Sequence, residues 1–250
     1  CTPLWLASQQ GHVVCVRALV EAGADKEASS KATRSTPLHI ACEHGHDECV
    51  RMLLAAGADK ESWNTMCVHP LWVACQKGHV ACVRALLGAG ADTTDRLYSP
   101  LHIACQHNHV ACVRELLAAG ADKDASNRDG ETPLYTACYF GNEACARVLL
   151  GAGANMEASN PEGWTPLHIA CRQGREACVR ALVEAGASLS VSTPCGSTPL
   201  SVAWSLDHTS IVRLLQDAEA ARQAHHHAAV SEPVSEPTFA PIPVPSPAAP

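Results

Sequence analysis

The chain has 250 residues and a net charge of −7, and 47% of it is hydrophobic with only 4% aromatic. That is enough apolar material for a core of small side chains, and the acidic balance argues against a nucleic-acid binder, whose domains are usually strongly basic. No apolar run reaches the ~18–20 residues of a membrane span, and no signal-peptide pattern opens the sequence. The first residue is Cys1 rather than Met, so the chain is expected to be a fragment.

A Pro-Leu dipeptide begins at Pro3, Pro37, Pro70, Pro100, Pro133, Pro166 and Pro199. The steps are 34, 33, 30, 33, 33 and 33 residues, and a fixed period of this size predicts a repeat array. The first unit starts at its own Thr2-Pro3 and lacks a leading turn, so an upstream repeat or cap is expected before it.

The second unit shows the physics. Thr36 is an N-cap and Pro37 occupies the first helical position, where its missing N–H costs nothing. Leu38, Ile40, Ala41 and Cys42 form the apolar part of a short helix that Gly45 ends in a left-handed turn. Asp47 to Ala55 predicts a second helix with Cys49, Val50, Leu53 and Leu54 inward, ended by Gly57. Neither helix is long enough to stand alone in water, so each must stack on its neighbours.

The fourth unit is three residues short between Asp92 and Pro100, which predicts a clipped turn and a notch beside Tyr98. Asn108 stands there for the helix-ending Gly, which Asn can replace because it tolerates the left-handed region. The seventh unit carries Trp204 where others have Cys and Asp207 for Gly, and it continues into Ala- and Gln-rich sequence that suits a C-terminal cap. The repeat domain is placed at 1–217 and a disordered tail at 218–250, with seven prolines from Pro233 onward. Pro241-Ile242-Pro243-Val244-Pro245 is a candidate ligand for a proline-recognition domain.

The motif Thr-Pro-Leu-His-Ile-Ala stands at Thr36–Ala41 and Thr165–Ala170, and as Ser99–Ala104 in the fourth unit; Gly-His pairs stand at Gly11, Gly45 and Gly78. Together these resemble the ankyrin repeat, in register over residues 1 to about 217. The resemblance implies an all-α solenoid of helix–loop–helix units with projecting β-turn fingers and a concave face. It also implies that His39, His102 and His168 bond backbone within and between repeats.

Fourteen cysteines and fourteen histidines invite a metal or redox reading. Eleven cysteines fall into two columns, Cys42, Cys75, Cys105, Cys138 and Cys171, then Cys15, Cys49, Cys82, Cys112, Cys145 and Cys178. Recurrence once per repeat in apolar columns marks small hydrophobes rather than staples or ligands. No Cys-X₂₋₄-Cys pair exists, no nucleophile–base constellation is visible, and His225-His226-His227 falls in the expected tail. No enzyme, metal or cofactor is expected, and the free thiols favour a reducing compartment, cytoplasm or nucleus.

What remains is surface. Carried over from the family, the candidate finger contacts include Ser35, Val68, Tyr98, Arg128, Glu131 and Trp164. Those on the first helices include Glu43, His44, Gln76, Lys77, Gln106, His107, Tyr139, Phe140 and Arg172. Three of the ten aromatics, Tyr139, Phe140 and Trp164, fall in two adjacent units, which predicts one exposed patch rimmed by Arg128, Glu131 and Arg172. The reading is a non-catalytic scaffold that binds a protein partner. A cysteine-based redox- or metal-responsive regulator is the alternative, and a ubiquitin-ligase substrate adaptor is a narrower variant with no recruiting box in the tail.

Overall fold

The computed structural model describes residues 1–94 and 99–230, without the side chains of 225–230. The first helices of the seven units are α1 (Pro3–Gln10), α3 (Pro37–His44), α5 (Pro70–Lys77), α7 (Pro100–Gln106), α9 (Pro133–Phe140), α11 (Pro166–Arg172) and α13 (Pro199–Ser205). The second helices are α2 (Val13–Glu21), α4 (Asp47–Ala55), α6 (Val80–Gly88), α8 (Val110–Ala118), α10 (Glu143–Gly151), α12 (Glu176–Glu184) and α14 (Thr209–Val230). Each helix packs on its partner within the unit and on its counterpart in the next, which makes a two-layer solenoid.

The local chemistry explains the boundaries. Thr36 accepts from the His39 amide, and the His39 ring returns a bond to Thr36, closing a capping box. Its other ring nitrogen, Nε2, lies 3.1 Å from the Val68 carbonyl of the following turn. His102 and His168 repeat this with the carbonyls of Glu131 and Ser197. In the first unit Trp5 stands for the histidine, and its indole N–H donates to the Ser35 carbonyl at 3.0 Å. One side chain therefore fixes a helix start and the next finger together. Asn108 and Asp207 take φ of 59° and 57° at the ends of their first helices, and Gly45 takes 74°. A Cβ on Gly45 would lie 2.6 Å from the His79 ring, so the left-handed turn is also the place where one unit seats the next.

The core runs down the stack as one cluster. The paired-column cysteines from Cys42 to Cys178 are fully buried, while Cys15 in the first unit is exposed. Burial pushes the Cys171 and Cys82 thiols up to about 12 and raises those of Cys42, Cys75 and Cys105. These thiols stay protonated at neutral pH, as packing groups do.

The C-terminal boundary differs from the expectation. Helix α14 runs through 218 to Val230, so the His225–His227 stretch has helical backbone. No Gly-Ala pair follows Leu214-Leu215 to stop the helix, and Ala, Gln, Glu and Arg are good helix formers. Arg222 also ties the extension down, donating to the Ala187 carbonyl at 2.9 Å. Residues 231–250, including the proline motif, lie outside the described residues.

Two predictions follow from the packing. Ser8 occupies the cysteine column in α1, and its hydroxyl is buried with no partner. Ser8→Cys should therefore stabilise the fold, and Cys105→Ser should destabilise it, by ~1–3 kcal/mol each in urea titration, with Cys105→Ala costing less than Cys105→Ser. Equal losses for the two Cys105 variants would refute the column as packing.

The second concerns acid. Burial lowers the His39 pKa from 6.5 to about 4, partly offset by its bond to Val68, and burial lowers those of His102 and His168 too. A depressed folded pKa means the folded state binds fewer protons, so this stability is full above about pH 6.5 and is lost as pH falls toward about 4. The urea midpoint should fall between about pH 7.5 and about pH 4.5, and His39→Gln/His102→Gln/His168→Gln should flatten that slope. An unchanged slope in the triple variant would place the acid sensitivity elsewhere.

Candidate functional site

Among the described residues, the fingers are turns organised by one or two polar side chains. Asn160 Oδ1 accepts from the amides of Glu162 and Trp164 at 3.1 and 2.9 Å, and Asn127 does the same for Asp129 and Glu131. The tips need left-handed φ, which Gly130 and Gly163 supply; Arg34 and Cys67 adopt it at 52° and 54° in the second and third units. Neighbouring fingers are tied together, the Thr65 amide donating to the Thr33 carbonyl at 2.9 Å.

The first-helix face is held by a ladder that sequence reasoning did not find. The first residue after each helix-ending turn reaches back to a carbonyl of the preceding first helix. His46 bonds Gln9, His79 bonds Glu43, His109 bonds Gln76, and His208 bonds Arg172, at 3.0, 3.2, 3.0 and 3.4 Å. Asn142 donates to Cys105 and Gln106, and Arg175 to Tyr139. The signal was present as histidines spaced at the repeat period beside Gly11, Gly45 and Gly78, but it was visible only as a family pattern.

Against this frame the candidate residues separate. Tyr139 and Phe140 sit on the last turn of α9, 41% and 40% exposed, with ring centroids 5.0 Å apart in an edge arrangement. Trp164 is half-buried and packs against the core. Its ring meets His168 edge-on at 5.8 Å, and the Arg172 guanidinium lies 5.1 Å from its centroid. The structure thus brings Arg172 onto Trp164 and Tyr139 onto Phe140, as two adjacent features rather than three equally exposed rings. Beneath them Tyr135 stands where other units have the capping histidine, buried, its hydroxyl pushed up to about 12 by burial and by Glu131.

Arg128 is exposed at its finger tip, while Glu131 is half-buried, accepting from Asn127 Nδ2 at 3.0 Å. Glu43 and Lys77 are exposed and form an ion pair at 3.7 Å. His44 and His107 are exposed and stack on His46 and His109 at 6.1 and 6.0 Å. Partial burial, then His109 and Lys77, lowers the His107 pKa. Gln76 and Gln106 are half-buried, with carbonyls engaged in the ladder. Ser35 and Val68 are buried instead of presented, because their carbonyls receive the bonds from Trp5 and His39. Tyr98 and the clipped turn around it lie outside the described residues. Among the described residues no three His, Cys, Asp or Glu side chains are grouped to hold a metal ion, and no helix is long and apolar enough to cross a membrane.

A second feature that recurs unnoticed in the sequence is an exposed arginine on every second helix: Arg17, Arg51, Arg84, Arg114, Arg147, Arg180 and Arg213. It marks the opposite face from the aromatic residues.

Comparison with known proteins agrees with this geometry. The family model for ankyrin repeats in three copies matches residues 1–64, 67–127 and 112–193. The ankyrin repeat domain of human ASB11 is 33% identical, with a TM-score of 0.74 over 81% of this chain and 92% of that one. The ankyrin repeat domain of Bcl-3, a member of the IkappaB protein family, is 32% identical, with a TM-score of 0.76 over 85% of this chain and 98% of that one. A search of curated proteins found no match. A repeat that builds helix–turn–helix units on capping histidines, with left-handed turns and linked fingers, and that matches this family model over most of its length, places the chain in the ankyrin repeat family.

Proposed function

We propose that this chain is a non-catalytic interaction scaffold whose protein partner docks on the finger and first-helix face, centred on Tyr139, Phe140 and the Arg172–Trp164 pair. Ankyrin repeats are in general protein–protein interaction modules. The observation that carries the site is the Tyr139–Phe140 edge pair, two-fifths exposed where other units present Glu43-His44, Gln106-His107 or Arg172-Gln173. Aromatic anchors rimmed by polar groups are what interface centres favour, and Arg128, Glu131 and Arg172 supply that rim. Glu43, His44, Gln76, Lys77, Gln106 and His107 extend the same face toward the N-terminal units.

The cysteine columns do not favour a redox-responsive reading, because ten of their eleven thiols are enclosed, and burial raises those of Cys42 and Cys75. Free thiols throughout suit a reducing compartment.

The test uses the chain and its Tyr139→Ser/Phe140→Ser variant as baits. Both side chains are substantially exposed, so the variant should keep its circular dichroism and lose less than ~1 kcal/mol of stability. Proteins retained by the parent chain should bind the variant more weakly by over ~2 kcal/mol in purified form. An unchanged set of retained proteins with unchanged affinities would place the interface elsewhere.

A further inference from the structure

The second-helix layer carries its own pattern. Four of the five interior arginines in the column are neutralised by carboxylates. Arg51 pairs with Asp47, Arg84 reaches forward to Glu115, and Arg180 pairs with Glu176. Arg147 takes both Glu143 and Glu184, at 2.7 and 2.9 Å. Among the described residues Arg114 alone of the five has no carboxylate.

The reason is in the sequence. Carboxylates reach the column from three positions. One is the fourth residue before the arginine, as in Asp47, Glu143 and Glu176. Another is the residue after the next unit's arginine, as in Glu115. The last is the fourth residue after the next unit's arginine, as in Glu184. Around Arg114 these three positions are Val110, Val148 and Gly151. All three line a groove of about 710 Å³ between α8 and α10, floored further by Leu117 and Ala144, with Arg114 and the already paired Arg147 on its walls. Where its neighbours have acid, Arg114 has an apolar trough and an unanswered positive charge.

We infer that this groove is a second docking surface, and that it takes an amphipathic helix of a partner protein bearing one carboxylate among aliphatic residues. A helix laid between α8 and α10 would seat its aliphatic ridge on Val110, Val148 and Leu117. Its carboxylate would complete the ion-pair column at Arg114, an arrangement favoured by the planar guanidinium. This surface is independent of the aromatic face.

A phage-displayed library of about 16-residue helical peptides, panned on the intact chain, supplies the probe. The enriched peptides should carry Asp or Glu amid aliphatics at helical spacing. Their affinity should fall at least about tenfold for Arg114→Glu, as expected for loss of a charge-assisted contact. It should fall similarly for Gly151→Leu, whose side chain enters open space within the groove. It should hold for Tyr139→Ser/Phe140→Ser. A peptide with its acid changed to Lys should recover binding to Arg114→Glu. Enriched peptides without an acid, or affinities indifferent to Arg114→Glu and Gly151→Leu, would overturn the inference. So would sedimentation showing two copies of the chain associating through this groove.

Discussion

Helices of seven to nine residues are too short to persist alone, so everything in this molecule depends on the junction between consecutive units. That junction is built from two backbone carbonyls that the unit cannot satisfy itself. One lies at the end of each first helix and receives the His46-type donor of the next unit. The other lies at the foot of the next finger and receives the His39-type donor of the unit before. At the junctions after the first, second, fourth and sixth units both bonds are made, and they cross in opposite directions, so the units there support one another. Small side chains between the layers follow from this, since they let the helices approach closely enough for the bonds to form.

The same constraint decides which surface is available. Residues whose carbonyls enter the junction, such as Ser35 and Val68, are drawn inward whatever their side chain. Residues in the last turn of the first helix, such as Tyr139 and Arg172, give their carbonyl to the ladder, while the Tyr139 ring stays partly exposed and the Arg172 side chain lies over Trp164. The interaction face is thus a by-product of the stacking, and its chemistry can vary from unit to unit at little cost to the fold.

Much of this was legible in the sequence. Pro-Leu spacing, Thr and Ser caps and helix-ending Gly located the helices, and Asn108 was correctly read as a left-handed substitute. The fate of Trp164 was not legible, because its half-burial depends on His168 and Arg172 closing over it from the next helix. The extension of α14 was missed for a different reason. A change of composition beyond residue 217 was read as the end of order, although Ala-, Gln- and Arg-rich sequence is itself helical and Arg222 finds carbonyls on the preceding unit. The arginine column was overlooked because a repeated charge on a solvated face carries no signal until its partners are known.

The buried cysteines have one more consequence. The ten that are fully enclosed come as one pair per unit from the second unit to the sixth, and the exposed ones are Cys1, Cys15, Cys67 and Cys195. A thiol reagent that adds a fixed mass therefore sees four sites in the closed array and two more for every interior unit that opens. The chain carries its own counter: the mass distribution after brief labelling would report how many units come apart together, and locating the labelled cysteines would separate fraying from one end from a break in the middle.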